Sequence, residues 1–386
     1  LGSLPPAIDE LGSIFADAGH EVSLVGGPVR DAFLGLPIHD FDLTTSAPPE
    51  ITEKLLSSWG AATWDVGREF GTIGSVRDDL TVEVTTYRSD SYEVGSRKPK
   101  VDFGRTLEGD LSRRDFTVNA LYYDPIAETL IDPMGGVDDL SARLLRMIGD
   151  PTTRYREDPV RMLRTVRFAA KLDFQVDPPT LQPIRTLAPL LENVPPARLF
   201  DEVMKLLESG HGLACLQRLR QEGLHHGILP LLDTLFETDE AFITEALTRT
   251  DTRVRQGKSV SPSFLFASLL WPQVRVRWQQ LHAQGEHLVP ALDQAISEVL
   301  DEQGTKLALH RRYQADMREI WMMQPRLEKR GRQAFTLVAQ LRFRASYDFL
   351  LLRCTSNEVD PALGDWWTEF IDADSSRREQ LVQESL

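Results

Sequence analysis

Leu24-Val-Gly-Gly-Pro-Val-Arg-Asp31, followed a few residues on by Asp40-Phe-Asp42, is the stretch whose reading decides the fold. Val22 to Val25 is an apolar run with the character of a buried strand. It breaks at Gly26-Gly27, where residues without Cβ let the backbone come close to a bulky ligand. Pro28 suits the first turn of a helix because its missing N–H is not needed there. That helix is expected from Val29 to Leu34, stopping near Gly35. A strand, a glycine turn and a helix N-terminus together make a phosphate site. Asp40 and Asp42 alternate with Phe41, and on a strand positions i and i+2 point the same way. Two carboxylates on one face repel, a cost relieved by a cation between them, and Mg²⁺ prefers carboxylate and phosphate oxygens. Either half alone is commonplace, since Gly-Gly is usually a turn and Asp-x-Asp usually a solvated loop. Their close succession points to a nucleoside triphosphate on the turn with metal ions on the aspartates beside it.

The chain of 386 residues is long enough for two or three domains and a sizeable core. Its two cysteines, Cys215 and Cys354, support neither a disulfide framework nor a zinc site, and a reducing cytoplasm is the expected home. No apolar run approaches the roughly 20 residues of a membrane span, and no signal peptide is visible. The net charge of −15 argues mildly against a nucleic-acid partner, although local distribution matters more than the total.

Residues from about 8 to 125 read as mixed α/β. An amphipathic helix is expected over Ile8 to Ala18 and another over Pro49 to Trp59, with strands over Thr72 to Val76 and Leu80 to Tyr87. Glu83 shares a strand face with Thr85, which makes it a candidate third carboxylate for the metal site or an ordinary solvent-facing acid. The polar stretch Asp90 to Leu111 reads as a flexible loop. It ends at Arg113-Arg114-Asp115, where paired guanidinium forks suit phosphate oxygens and ribose hydroxyls. From about Val137 onward strands are expected to fade and helices to take over. In Glu157-Asp158-Pro159-Val160-Arg161, Pro159 marks a first helical turn with Asp158 as N-cap. Asp158, Arg161, Arg164 and Arg167 then recur every three residues. They read either as an exposed ion-pair stripe or as an edge that hydrogen-bonds a base, because Asp accepts where Arg donates.

Between Lys306 and Arg353 the charge balance reverses. Arg311, Arg312, Arg318, Arg326, Lys329 and Arg330, with further arginines to Arg353, are interleaved with Tyr313, Trp321, Phe335, Phe343 and Tyr347. Such a region can track an RNA backbone, or it can be a helical core with solvated arginines.

Gly26-Gly-Pro-Val-Arg-Asp31 with Asp40-Phe-Asp42, then Arg113-Arg-Asp115, then Glu157-Asp-Pro-Val-Arg161, resemble the ordered motifs of class II nucleotidyltransferases, the family of tRNA CCA-adding enzymes and bacterial poly(A) polymerases. The resemblance implies an α+β fold: a small mixed α/β catalytic head over residues 1–145, a helical neck with base recognition over 146–210, and a helical body over 211–386 with an arginine-rich, RNA-binding C-terminal region. It implies that Asp40 and Asp42, with Glu83 as a further candidate, bind two Mg²⁺ ions. Gly26, Gly27 and Arg30 would lie at the triphosphate, and Arg113 and Arg114 at ribose and phosphates. Asp115 would belong to the catalytic set. Asp158 and Arg161 would read the base, supported by Arg164 and Arg167. From Leu121 on, segments such as Val166-Arg-Phe-Ala-Ala-Lys-Leu172 and Met317-Arg-Glu-Ile-Trp321 are similar to the poly(A) polymerase branch. Glu69-Phe-Gly-Thr-Ile-Gly74 and Thr106-Leu-Glu-Gly-Asp110 in the head are closer to CCA-adding enzymes. The expected activity is therefore template-independent addition of AMP from ATP to RNA 3′ ends, of mRNA or tRNA, by a cytoplasmic monomer. CCA addition to tRNA from CTP and ATP is the alternative.

Overall fold

The computed structural model describes residues 4–38, 40–91, 100–104, 106–224, 235, 237, 239–304 and 308–386. Contacts divide the chain into two compact units, Leu1–Leu187 and Ala188–Leu386. The fold is α+β: a mixed-sheet head followed by helices.

In the first unit, helix α1 (Pro6–Asp17) precedes strand β1 (Val22–Val25), helix α2 (Gly27–Phe33), strand β2 (Asp40–Thr45) and helix α3 (Pro49–Trp59). Strands β3 (Ala62–Trp64), β4 (Thr72–Arg77) and β5 (Leu80–Thr86) follow. A separate hairpin, β6 (Arg88–Ser91) with β7 (Lys100–Phe103), leads to helix α4 (Leu107–Leu111). Strands β8 (Tyr122–Asp124) and β9 (Thr129–Ile131) complete a seven-stranded sheet of order β3-β4-β5-β2-β1-β8-β9. Only β2 and β5 pair in parallel; every other ladder of this sheet is antiparallel. β1 lies inside the sheet and is buried along its whole length, which is why it reads as a mostly apolar run, with Ser23 its one polar residue. β2 and β5 alternate instead. Phe41, Leu43, Val82 and Val84 are buried, while Asp40, Asp42 and Glu83 face out. Ile8, Leu11 and Phe15 of α1 are fully buried, and the Trp59 indole N–H donates to the Ala7 carbonyl at 2.9 Å, tying α3 to α1.

Three expectations are corrected here. The stretch read as a flexible loop contains the β6–β7 hairpin and α4; residues 92–99 and 105 lie outside the described ones. The cause is Arg88 facing Phe103 across the hairpin ladder, a pairing that no local composition announces. Nor do strands end near Val137. After helix α5 (Gly136–Ala142), strand β10 (Leu144–Leu145) pairs in parallel with β11 (Gln175–Val176). Between them run helices α6 (Pro151–Glu157) and α7 (Val160–Leu172), and helix α8 (Pro178–Leu187) closes the unit. Asp158 is not the N-cap residue of α7, although its carboxylate accepts from the Val160 N–H at 3.3 Å. It ends α6 in an extended conformation, and Pro159 is the α7 N-cap. Proline disfavours helical geometry in the residue before it, which pushes Asp158 out of either helix.

The second unit is helical throughout its described residues. Its core is aromatic: Trp271 meets Phe349 edge-on at 5.4 Å, and the buried Trp321 indole donates to the Ala267 carbonyl at 3.1 Å. A second cluster gathers Trp366, Trp367, Phe370 and Phe343.

Gly136 opens α5 where a Cβ would come within 2.3 Å of the Thr117 carbonyl oxygen. Thr117 has little freedom to yield, because its N–H donates to the Arg146 carbonyl at 3.0 Å and its hydroxyl to Asp139 at 2.6 Å. Gly136→Ala is expected to cost about 1–3 kcal/mol, read as a lower urea midpoint with unchanged slope.

Candidate nucleotide site

The glycine turn forms as the sequence reading requires. Gly26 has φ 74° and ψ −130°, a conformation open to glycine alone, and its N–H donates to the Leu121 carbonyl at 3.2 Å. That draws the start of α2 against the chain leading into β8. α2 runs Gly27–Phe33, two residues earlier than expected, with Pro28 in its first turn.

Beside it, β2 presents Asp40 and Asp42, and the β2–β5 register sets Asp42 directly opposite Glu83. The Asp42 carboxyl is pushed up to about 6, first by burial, then by Glu83, with Asp40 adding and Arg114 opposing. Its side chain stays accessible to solvent. Among the described residues, no group of three or more His, Cys, Asp or Glu side chains has a metal-holding arrangement. Glu83 is therefore a neighbour of the aspartate pair and not part of a preformed three-carboxylate cage. Mg²⁺ commonly takes only one or two carboxylates, filling its shell with waters and substrate phosphate oxygens. An accessible aspartate pair whose own repulsion favours a proton is a donor set that fits such an ion.

Arg113 and Arg114 are held from behind by Asp110, which is fully buried. Asp110 accepts from Arg113 Nε at 3.0 Å, from Arg114 Nη2 at 3.1 Å and from the Tyr122 hydroxyl at 3.1 Å. Burial pushes the Asp110 carboxyl up, but Arg114 and Arg113 overcome it and hold it below the usual range. Burial and the adjacent Arg114 charge lower Arg113 to about 10. One buried acid thus keeps two repelling cations side by side. The signal was present in the sequence: an Asp three and four residues before Arg113 and Arg114, which follow directly on the short helix that carries it.

Asp115 and Arg30 are placed differently from an open catalytic pair. One Asp115 oxygen accepts from Arg164 Nε at 3.0 Å and from its Nη2. The other accepts from the Phe116 N–H at 2.7 Å and the Asn119 amide at 3.3 Å. Burial opposes ionisation of Asp115, but Arg164 and these N–H donors outweigh it and lower its carboxyl. Arg30 is only 3 % exposed. Its guanidinium donates to Asn119 Oδ1 at 2.6 Å and pairs with Asp31 at 2.9 Å. Asn119 and Phe168 were not anticipated as site residues, because no spacing marks them. Arg30, Arg164 and Arg167 lie 5.4, 5.4 and 4.7 Å from the centroid of the Phe168 ring. Each such contact is worth about 0.5–2 kcal/mol.

Asp158 and Arg161 are buried, so the residues spaced three apart are not an exposed ion-pair stripe. Arg161 donates to the Arg154 carbonyl at 2.9 Å and pairs with Glu157 at 3.0 Å. In the second unit the arginine-rich region separates into two populations. Arg318 pairs with Asp293 and Arg342 with Asp316, while buried Arg353 pairs with Glu328 and Glu358. Arg311, Arg312, Arg326, Lys329 and Arg330 are exposed and have no carboxylate partner among the described residues.

Three family models match in chain order: poly A polymerase head domain over residues 22–146, probable RNA and SrmB-binding site of polymerase A over 173–236, and polymerase A arginine-rich C-terminus over 284–386. The chain is 42 % identical to poly(A) polymerase I of Haemophilus influenzae over 387 residues, covering 95 % of this chain and 84 % of that one. The chain belongs to the poly(A) polymerase family. It is a nucleotidyltransferase by that membership. Poly(A) polymerase I of Salmonella typhi is 39 % identical over 92 % of this chain and 79 % of its own. A CCA-adding enzyme of Streptococcus gordonii is 42 % identical, but over only 59 % of this chain. Among solved structures, the Bacillus stearothermophilus CCA-adding enzyme in complex with CTP superposes with a TM-score of 0.65 at 29 % identity, covering 96 % of this chain and 83 % of that one. No described helix is long and apolar enough to cross a membrane.

The raised Asp42 carboxyl has a testable sign. A proton competes with the cation below about pH 6, so Mn²⁺ affinity, read by paramagnetic resonance of free ion, is expected to fall as pH drops from 8 to 5. Asp42→Asn removes that dependence. It also stabilises the metal-free protein above pH 6, by a margin that vanishes as pH falls towards 4.

Proposed function

We propose that this protein extends RNA 3′ ends with AMP from ATP, without a template, the RNA 3′-hydroxyl attacking the α-phosphorus and pyrophosphate leaving. The observation that carries the reading is the extent of similarity: poly(A) polymerase I relatives match nearly the whole chain, including the arginine-rich region, whereas the CCA-adding relative matches 59 %. On this reading residues 1–145 are the catalytic head, 146–210 the neck and 211–386 the RNA-binding body.

The turn at Gly26-Gly27 lets the triphosphate approach backbone, and Arg113 and Arg114, fixed by Asp110, meet its phosphates and ribose. Asp40 and Asp42, with Glu83 beside them, would hold two Mg²⁺ ions, which when bound supply positive charge at the attacking and leaving oxygens. Asp115 acts through Arg164, orienting it rather than touching substrate. Asp158 and Arg161 present an acceptor and donors in fixed positions, Arg161 being held by Arg154 and Glu157. A rigid, buried edge of this kind discriminates among bases because a mismatched base leaves buried polar groups unpaired. Arg311, Arg312, Arg326, Lys329 and Arg330 supply the unneutralised charge that an RNA backbone would meet, whereas Arg318 is engaged with Asp293. The protein is proposed to act on mRNA or tRNA ends as a cytoplasmic monomer. CCA addition to tRNA is the second reading, favoured by the similarity of the structure with CTP across 96 % of this chain.

Product length tests the two. With Mg²⁺ and ATP alone, an oligoadenylate primer is expected to give a long ladder; a stop after three residues on tRNA, requiring CTP and ATP together, establishes CCA addition instead. Asp42→Ala is expected to abolish incorporation while leaving the melting curve cooperative, and an active Asp42→Ala protein sinks the assignment of the metal site. Arg161→Ala is expected to lower the ATP-over-CTP preference in kcat/KM about tenfold or more, with little change in pyrophosphate inhibition.

A further inference from the structure

We propose that Asn119 and Phe168 are positioning residues that close a ring, Arg30–Asn119–Asp115–Arg164–Phe168 and back to Arg30, holding the glycine turn and helix α7 as one piece. The inference rests on the reading that the glycine turn holds the triphosphate and that Arg161 of α7 reads the base. Each link of the ring is a distance. Arg30 donates to Asn119 Oδ1 at 2.6 Å, and the Asn119 amide donates to Asp115 at 3.3 Å. Asp115 accepts from Arg164 at 3.0 Å. Arg164 and Arg30 each lie 5.4 Å from the Phe168 ring centroid.

Two links have narrow chemical requirements. Asn119 must accept from a guanidinium and donate to a carboxylate with one side chain, and a primary amide has both an acceptor and a donor at its tip. An aspartate could not donate, and it would set a second carboxylate beside Asp115. Phe168 must face three guanidinium groups, since Arg167 lies 4.7 Å from the same centroid. The negative face of an aromatic ring attracts each of them, adding to the carboxylates that already pair Arg30 with Asp31 and Arg164 with Asp115, and an aliphatic side chain of similar size would lose that attraction. Phe168 is itself fixed edge-on against Phe116, the residue after Asp115. The ring therefore joins three separate segments: α2 at Arg30, the turn from Asp115 to Asn119, and α7 at Arg164 and Phe168. Its consequence is that the triphosphate end and the base end of the nucleotide meet one connected scaffold. Loosening it should damage phosphate binding and base choice together.

The test compares Asn119→Asp, Phe168→Leu, Phe168→Tyr and Phe168 replaced by trifluorophenylalanine. The last keeps ring size while depleting the face of negative charge. Steady-state incorporation on an oligoadenylate is measured with ATP and with CTP, with thermal melts alongside. Asn119→Asp, Phe168→Leu and the fluorinated protein are expected to raise KM for ATP about tenfold and to shrink the ATP-over-CTP ratio. Phe168→Tyr is expected to restore both. An active parent protein with unchanged KM and base ratio in the fluorinated and Asn119→Asp variants overturns the ring. A shift in melting temperature without any shift in base ratio also overturns it, since that is packing alone. A parent protein that adds no nucleotide to RNA overturns the reading on which the ring depends.

Discussion

Repulsion among acids on the open face of β2 and β5 is the constraint from which the rest of the first unit follows. Asp40 and Asp42 share that face, and the parallel register sets Glu83 against Asp42. A one-residue slip would turn the aspartates into the core and Phe41 and Leu43 out to solvent, so burial of those two side chains fixes the carboxylates where they are. The sheet thus uses apolar burial to enforce an arrangement that charge alone would disperse. Among the described residues, Arg114 is the cation whose field lowers the Asp42 carboxyl, and it is kept in place by a second, fully buried acid, Asp110.

The same division of labour recurs among the arginines. Those that neutralise a carboxylate inside the protein shape it: Arg113 and Arg114 on Asp110, Arg164 on Asp115, Arg353 on Glu328 and Glu358. Breaking a pair of this kind by removing one partner typically costs about 3–5 kcal/mol, because the remaining charge is left buried. Arg326, Lys329 and Arg330, exposed at the end of one helix, have no such duty and leave their charge in the solvent. Composition treats both groups alike, and the overall charge of −15 hides the second group altogether.

What could be read from the chain follows from the range of the interactions involved. The glycine turn, the alternation of β2 and β5 and the extents of α3 and β4 rest on rules within a few residues of each other, and they stand close to where sequence places them. The β6–β7 hairpin and the β10–β11 pair depend on partners 9 to 31 residues away in the chain, and local pattern is silent about them. Of the residues proposed for the site, motif spacing reaches Asp40, Asp42, Arg113, Arg114 and Arg161. It does not reach Asn119 or Phe168, whose contacts with Arg30 span 89 residues in one case and join α2 to α7 in the other. Nor could it distinguish a guanidinium open to ligand from one already engaged, as Arg30 is.

The short parallel pairing of Leu144–Leu145 with Gln175–Val176 brackets α6 and α7 between its two strands. It belongs to the unit that ends at Leu187, so α7 with Arg161, and Asp158 just before it, are anchored with the sheet that carries Asp40 and Asp42. On the proposed function, the instruction for which nucleotide to add is then stored beside the chemistry and not along the product. A gauge mounted this way has no record of how many residues have gone before. It meets the hundredth addition as it met the first, and length must be limited by when the RNA lets go.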